Sequence, residues 1–186
     1  MGRKTSFMQD PVITILKIGG VGVLPTDTIY GIVGSALLPK TVARIYKLRR
    51  RNLKKPMIIL VSSLVELKFF GIKLNPVIQR KLKNFWPGKV SIILPCASKK
   101  FSYLHRGTKT LAFRLPAKPN LRAILKKTGP LVAPSANLEG RPPAKTIRAA
   151  EKYFGRRVDF YVDHGRLDGA PSRLITFQGD KVVSLR

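Results

Sequence analysis

The amino-acid sequence predicts an α/β fold: a mixed sheet with helices packed around it. Two observations carry that prediction. Short apolar runs bounded by Gly, Pro or charge, which read as buried strands, alternate with stretches of helical periodicity. Two further runs near the C-terminus are joined by Gln178-Gly179-Asp180, and a late hairpin makes the sheet mixed instead of purely parallel. A third observation concerns the surface. In 186 residues, 36 Lys and Arg face nine Asp and Glu, and a formal charge of +27 draws polyanions, nucleic acid foremost.

The elements follow in order. Residues 9–18 have a helical pattern stopped by Gly19-Gly20, and residues 21–24 make a buried strand ending at Pro25. The helix 39–48 places Val42, Ile45, Tyr46 and Leu48 near helical spacing, with Pro39 in its first turn, where no intrahelical N–H is needed. Residues 57–61 form a continuous apolar strand. Ser63 and Glu66 have capping-box spacing, so a helix should open there, run through Phe70 and close at Gly71. Asn75-Pro76 starts a helix over 76–84. Strands are expected at 90–94 and 111–115, a helix over 119–127 ended by Gly129, and a short buried strand at 131–133 leading into a loop over 134–145. Thr146 is placed to cap a helix through Phe154, and strands at 158–162, 173–177 and 181–185 complete the chain. With no repeat and no low-complexity linker, 1–186 reads as a single domain.

Composition removes several classes of function. No apolar stretch reaches the ~20 residues of a spanning helix. The basic start carries Lys17 inside a short apolar run with no small-residue cleavage site, so neither membrane insertion nor secretion is expected. The single Cys96 excludes an intramolecular disulfide, and with only His105 and His164 beside it no resident metal centre is expected. A reducing cytoplasm fits that usage. Nine thinly spread carboxylates do not readily build a two-metal site or a catalytic carboxylate pair. Chemistry here should run on cations, hydroxyls and backbone dipoles.

Five segments place polar or special-backbone residues at the ends of these elements, where functional groups are displayed. Pro25-Thr26-Asp27-Thr28-Ile29-Tyr30-Gly31 offers hydroxyls, a carboxylate and a phenol to a small polar ligand; the same residues would also make a turn that satisfies its own backbone. The run from Lys47 to Lys55 holds six cations in nine residues. A solvated basic face is one reading. A phosphate site is the other, because like charges repel unless an anion sits nearby and Arg forks bind phosphate oxygens in pairs. Phe85-Trp86-Pro87-Gly88-Lys89 reads as an aromatic anchor and turn. Arg114 lies within an apolar strand, where it needs an internal carboxylate or a ligand anion. In Pro134-Ser135-Ala136-Asn137, the hydroxyl and the amide two residues apart share one side of an extended chain. There is no G-x-S-x-G elbow, no G-x-x-x-x-G-K-[ST] loop and no G-x-G-x-x-G, so any nucleotide is held by another cradle.

These segments, in this order and spacing, resemble the threonylcarbamoyl-AMP synthase family, the YrdC/Sua5/TsaC group. The likeness runs from about Ile13 to Arg186 and rests on P-T-[DE]-T-[VI]-Y-G, I-Y-x-[IL]-K-x-R, W-P-G, A-x-R-x-P and P-S-A-N-x-[SE]-G together. It is similar to the short, single-domain form. Counted without gaps from Pro25, the K-x-R motif falls on Arg49-Arg50-Arg51, so the usual lysine is replaced by an arginine, which cannot act as a compact point cation. A second departure is Leu60, where longer relatives carry a histidine.

The resemblance implies a YrdC-like twisted mixed sheet with a basic concave cleft, and a reaction in which L-threonine, bicarbonate or CO2, and ATP give threonylcarbamoyl-AMP and pyrophosphate. By the same analogy Arg49 and Arg51 hold the ATP phosphates and supply the catalytic charge, Ser135 and Asn137 add neutral hydrogen bonds to ATP, and Arg186 helps close its site. Thr28 and Arg114 would engage threonine, with Ser172 a further contact. Mg2+ would arrive with the nucleotide, without a tightly bound protein metal. The product would serve N6-threonylcarbamoyladenosine formation at position 37 of tRNA, through a downstream transferase complex. A rival reading of the charge is a non-catalytic module for double-stranded RNA or tRNA. A carbamoyl-transfer enzyme like the hydrogenase-maturation relatives ranks behind both.

Overall fold

The computed structural model describes residues 9–179 and 181–185. Among them nine strands form one mixed sheet in the order β7-β1-β2-β6-β3-β5-β4-β8-β9. In chain order these are β1 (Gly22–Pro25), β2 (Tyr30–Ser35), β3 (Ile58–Leu60), β4 (Val90–Pro95), β5 (Thr110–Arg114), β6 (Leu131–Val132), β7 (Phe160–Tyr161), β8 (Arg173–Gln178) and β9 (Lys181–Ser184). The α-helices are α1 (Gln9–Lys17), α2 (Pro39–Arg49), α3 (Pro76–Lys83), α4 (Ser102–His105), α5 (Pro119–Thr128) and α6 (Ile147–Phe154). Strand β1 pairs in parallel with β7, β3 with β5, and β4 with β8; the remaining pairs are antiparallel. The expected late hairpin is β8–β9, with Gln178 opposite Lys181.

Period-two alternation sorts the strand residues onto two faces. Leu24, Val33, Leu60 and Leu131 pack with Val12 and Leu16 of α1 and Leu121 and Leu125 of α5. Their neighbours Val23, Ile32, Ile59 and Val132 join the larger cluster with Ile45 of α2, Leu104 of α4 and Phe154 of α6. Helices therefore cover both faces, as an α/β layering requires. Two expected caps form: Asn75 Oδ1 accepts from Ile78 N at 2.8 Å, and Thr146 Oγ1 from Ala149 N at 3.2 Å. Trp86 is buried, with its Nε1 donating to Val90 O at 2.6 Å, an anchor as expected.

Four features depart from the sequence reading. The segment after Thr28 was expected to be a site loop, yet Tyr30–Ser35 is a wholly buried strand. Its glycines hide it from a β-propensity reading; a Cβ on Gly34 would sit 2.5 Å from Thr41 Cγ2, so the glycine is what lets α2 lie on the sheet. The expected helix at 64–70 is a 3-10 helix, and Ser63 makes no side-chain cap. Glu66 instead accepts from both the N–H and the hydroxyl of Ser62, each at 2.7 Å. The strand expected at 158–162 contracts to Phe160–Tyr161, and α4 was not anticipated.

What matters for function is where ends meet. The turn between β1 and β2, the C-terminal ends of β5, β6 and α2, and the approach to β8 converge on one hollow.

Candidate active site

The hollow has a volume of about 320 Å3, at the small end for ligand pockets. Among the described residues, three guanidinium groups line it, those of Arg49, Arg51 and Arg114, and none of the lining residues is a carboxylate.

One wall is the turn after β1. Thr26 is consumed by the turn itself: its Oγ1 accepts from Thr28 N (3.1 Å) and Ile29 N (3.3 Å) and donates to Ile29 O (2.7 Å). A hydroxyl has one hydrogen, so the 2.9 Å bond between the Thr26 and Thr28 hydroxyls must be donated by Thr28. Thr28 Oγ1 in turn accepts from Arg114 Nη1 at 3.1 Å. Thr26 builds the turn, and Thr28 faces the hollow.

Arg114 ends β5 in register with Leu60 of β3. Its partner among internal acids is Asp27, whose Oδ1 lies 3.2 Å from Nη2, off the hydrogen-bonding axis and so an ion pair. Sequence reasoning posed the choice between an internal carboxylate and a ligand; the structure supplies the carboxylate and leaves the guanidinium lining the hollow.

Opposite lies Arg49, the last residue of α2. The helix stops because Arg50 adopts the left-handed conformation (φ 49°), and Arg51 N donates back to Tyr46 O at 3.0 Å. Only 3% exposed, Arg49 donates from Nε to Asn137 O (3.0 Å), and from Nη2 to Asn137 Oδ1 (2.8 Å) and Ser135 Oγ (3.4 Å). Its Nη1 is buried without a protein partner. Burial first, then the charge of Arg51, lowers its pKa to about 10, partly offset by Glu139 and Tyr46. A buried cation with an open donor and a second cation beside it is an anion seat.

Arg51 donates from Nε to Lys55 O (3.1 Å) and from Nη2 to Pro56 O (2.8 Å), which folds the basic run back on itself. The run also has its counter-ion: Glu139 accepts from Lys55 Nζ at 2.9 Å and from Asn52 N, and these two bonds hold its carboxyl below the usual carboxylate range. Glu139 N donates to Arg49 O at 2.9 Å, so the loops after α2 and β6 are stitched together.

The approach to β8 forms the remaining rim. Ser172 is buried, shares a 2.9 Å hydroxyl bond with Ser91, and lines the hollow beside Pro171. Gly169 is pressed against the threonine turn: a Cβ there would lie 2.2 Å from Thr28 O. Tyr30 anchors the start of this segment, donating to Gly165 O at 2.7 Å and accepting from His164 N at 2.9 Å.

Thr28, Arg49, Arg51, Arg114, Ser135 and Ser172 therefore share one hollow. Asn137 does not line it. Its Oδ1 accepts from Arg49 and from Ser135 Oγ (2.7 Å) and its Nδ2 donates to Leu138 O (2.9 Å), so it supports Arg49 from behind. Arg186 lies outside the described residues. Sequence reasoning missed Thr108 and Thr110, which line the hollow at the start of β5. Their spacing, two apart leading into a strand, was the available signal. It also offered the Asp27 carboxylate to a ligand, whereas the structure pairs it with Arg114.

Comparison with known proteins agrees with this geometry. The Sua5/YciO/YrdC family, described as telomere recombination, matches residues 14–186. The threonylcarbamoyl-AMP synthase of Marinobacter nauticus is 34% identical over 161 residues, 84% of this chain and 84% of its own length. That of Bacillus subtilis is 32% identical over 171 residues, 88% of this chain but 48% of its own. The crystal structure of Pyrococcus abyssi Sua5 complexed with L-threonine aligns with a TM-score of 0.88 at 26% identity, over 97% of this chain and 54% of that one. Escherichia coli YciO aligns at 0.83 and 25% identity, over 97% and 88%. The chain thus spans about half the length of the Bacillus and Pyrococcus relatives. By sequence and by architecture, the chain belongs to the Sua5/YciO/YrdC family.

Proposed function

We propose that the protein is an L-threonylcarbamoyladenylate synthase, a nucleotidyltransferase that joins L-threonine, bicarbonate or CO2, and ATP into threonylcarbamoyl-AMP with release of pyrophosphate. One observation carries the reading: Arg49, Arg51, Thr28 and Arg114 line a single hollow. The names of the Marinobacter and Bacillus relatives and the threonine bound to Pyrococcus Sua5 support it.

The chemistry suits these residues. A carbamate on the threonine nitrogen attacks the α-phosphorus through oxygen, and the bond to the departing pyrophosphate breaks. Charge grows on phosphate oxygens, where Arg49 Nη1 and the Arg51 guanidinium would receive it; holding the reactants in line and stabilising that charge does the work, with no strong general base. We assign the threonine carboxylate to Arg114 and a hydrogen-bond donor of threonine to Thr28. Ser135 spans the two halves, and Ser172 closes the rim. The hollow would take the amino acid and the phosphates, with the remainder of the nucleotide lying towards the mouth beside Thr108 and Thr110. Mg2+ would ride on the phosphate oxygens, beside the cations and hydroxyls that line the hollow.

The charge of +27 supports tRNA or double-stranded RNA as a polyanionic partner, and a t6A-forming transferase complex would consume the labile adenylate. No helix among the described residues is long and apolar enough to cross a membrane; together with the free, buried Cys96, this supports a cytoplasmic setting. The test is an omission series. Pyrophosphate release should need ATP, threonine and bicarbonate together, and release that ignores threonine would refute the assignment.

A further inference from the structure

We propose that Asp27 is the positioning residue of the amino-acid half of the hollow: it holds the Arg114 guanidinium beside Thr28, whose own hydrogen is spent on Thr26, so that a ligand meets a fixed guanidinium next to a hydroxyl that only accepts. This deepens the synthase reading and rests on it.

The side chains of Asp27 and Arg114 are 5% and 4% exposed. Asp27 Oδ1 faces Arg114 Nη2 at 3.2 Å, and Oδ2 accepts from Ala117 N at 3.3 Å. The carboxylate therefore ties the guanidinium to the chain that follows β5. The ammonium of Lys118 is the other charge that feels Asp27. With Arg114 held, its Nη1 donates to Thr28 Oγ1, Thr28 donates to Thr26 Oγ1, and Thr26 donates to Ile29 O, over 3.1, 2.9 and 2.7 Å. The direction of every bond in this relay is forced, because each hydroxyl has one hydrogen. Thr28 has then spent its hydrogen and keeps an acceptor lone pair for the hollow.

A ligand is thus read twice. Its carboxylate meets Arg114, and beside it a donor, the amine N–H or the hydroxyl, must meet Thr28. A simple carboxylate satisfies only the first requirement. Asp27 also compensates Arg114 before any ligand arrives, which trades raw attraction for fixed orientation.

The test compares L-threonine, propionate and ATP as ligands of the wild-type protein and of Asp27→Asn, by calorimetry, with Asp27→Glu as the conservative rescue. Asp27→Asn should weaken threonine at least tenfold while propionate binds as well or better and ATP stays within about twofold; Asp27→Glu should recover part of the threonine loss. Unchanged threonine affinity in Asp27→Asn overturns the proposal, as does parallel weakening of all three ligands, which a merely structural acid would give. A wild-type protein that binds no threonine refutes the synthase reading instead. Should Asp27→Asn fail to fold, 15N NMR of the ligand-free wild type decides. Separate, slowly exchanging Nη signals of Arg114 support the proposal, and one averaged signal overturns it.

Discussion

Arg49 grips Asn137 at two points, its Nε on the backbone carbonyl at 3.0 Å and its Nη2 on the side-chain oxygen at 2.8 Å. The residue we propose for the nucleotide phosphates is also the staple between the end of α2 and the loop after β6. A planar guanidinium reaches both oxygens at once, which a compact ammonium does not, so this arginine shapes the wall as well as carrying charge.

Arg49→Lys should therefore not be conservative. It removes two or more charge-assisted bonds of about 1.5–3 kcal/mol each and keeps the charge. The ATP KM should rise about tenfold or more, with part of the turnover retained at saturating ATP and a much smaller effect on threonine. Steady-state kinetics with each substrate varied checks it; an ATP KM within twofold of wild type would show that the bonds to Asn137 do not matter for the nucleotide.

Arg114→Ala should act on the other substrate. A threonine KM raised about a hundredfold with the ATP KM nearly unchanged is expected, together with a loss of stability. Removing one member of a buried ion pair costs about 3–5 kcal/mol, because Asp27 would be left without its guanidinium. Thermal denaturation and kinetics on the same preparation separate the two effects.

Gly169→Ala tests the rim. The added methyl would meet the Thr28 carbonyl at 2.2 Å, a backbone contact that cannot swing away. Overpacking of about 1–3 kcal/mol, or a Tm lower by about 2–4 °C per kcal/mol, should accompany a several-fold weaker grip on threonine. A variant with wild-type Tm and threonine affinity would place this segment further from the turn than 2.2 Å implies.

Asp159 should show its role through pH. It accepts from Val21 N at 2.7 Å and from Arg44 Nη1 and Nη2 at 2.6 and 2.9 Å, and Arg44 is the main reason its pKa is lowered from 3.8. A lowered carboxyl pKa stabilises the fold above the unfolded value, and the gain is lost as pH falls through the folded one. Half exposed to solvent screening, the pair is worth about 1 kcal/mol. Asp159→Asn should lower Tm by about 2–4 °C at pH 7, with the difference from wild type vanishing as the pH falls through the lowered carboxyl pKa. A difference that persists unchanged in acid would point to packing.

Much of the site was legible because its residues stand at element ends with strong local signatures. The basic run, Arg114 and Ser135 stand out in the sequence on their own, Ser172 enters only through the family resemblance, and Arg49, Arg51, Arg114, Ser135 and Ser172 share one hollow. Their wiring was not legible. Thr28 and Arg114 are 86 positions apart, and Ser91 and Ser172 are 81 apart, and no periodicity encodes such pairings. Asn137 looked like a ligand because its amide is exposed by an extended reading of the chain; the guanidinium of Arg49 turns it inward. Strand β2 escaped because Gly31 and Gly34 lower its β signal, and those glycines are needed where helix and loop press on the sheet. The helix over Leu64–Phe70 stands where the sequence places it, but as a 3-10 helix whose expected capping acid serves Ser62 in place of Ser63.

The central claim, one hollow in which fixed guanidinium groups bring a nucleotide and an amino acid together, is tested most directly by double labelling. The protein is incubated with ATP, 14C-bicarbonate and 3H-threonine, and the adenylate fraction is isolated by chromatography. The account predicts one species carrying both labels and AMP in equal amounts, formed with an equal amount of pyrophosphate and lost in Arg114→Ala. Pyrophosphate formed without a doubly labelled adenylate, or a doubly labelled adenylate made equally well by Arg114→Ala, would contradict it.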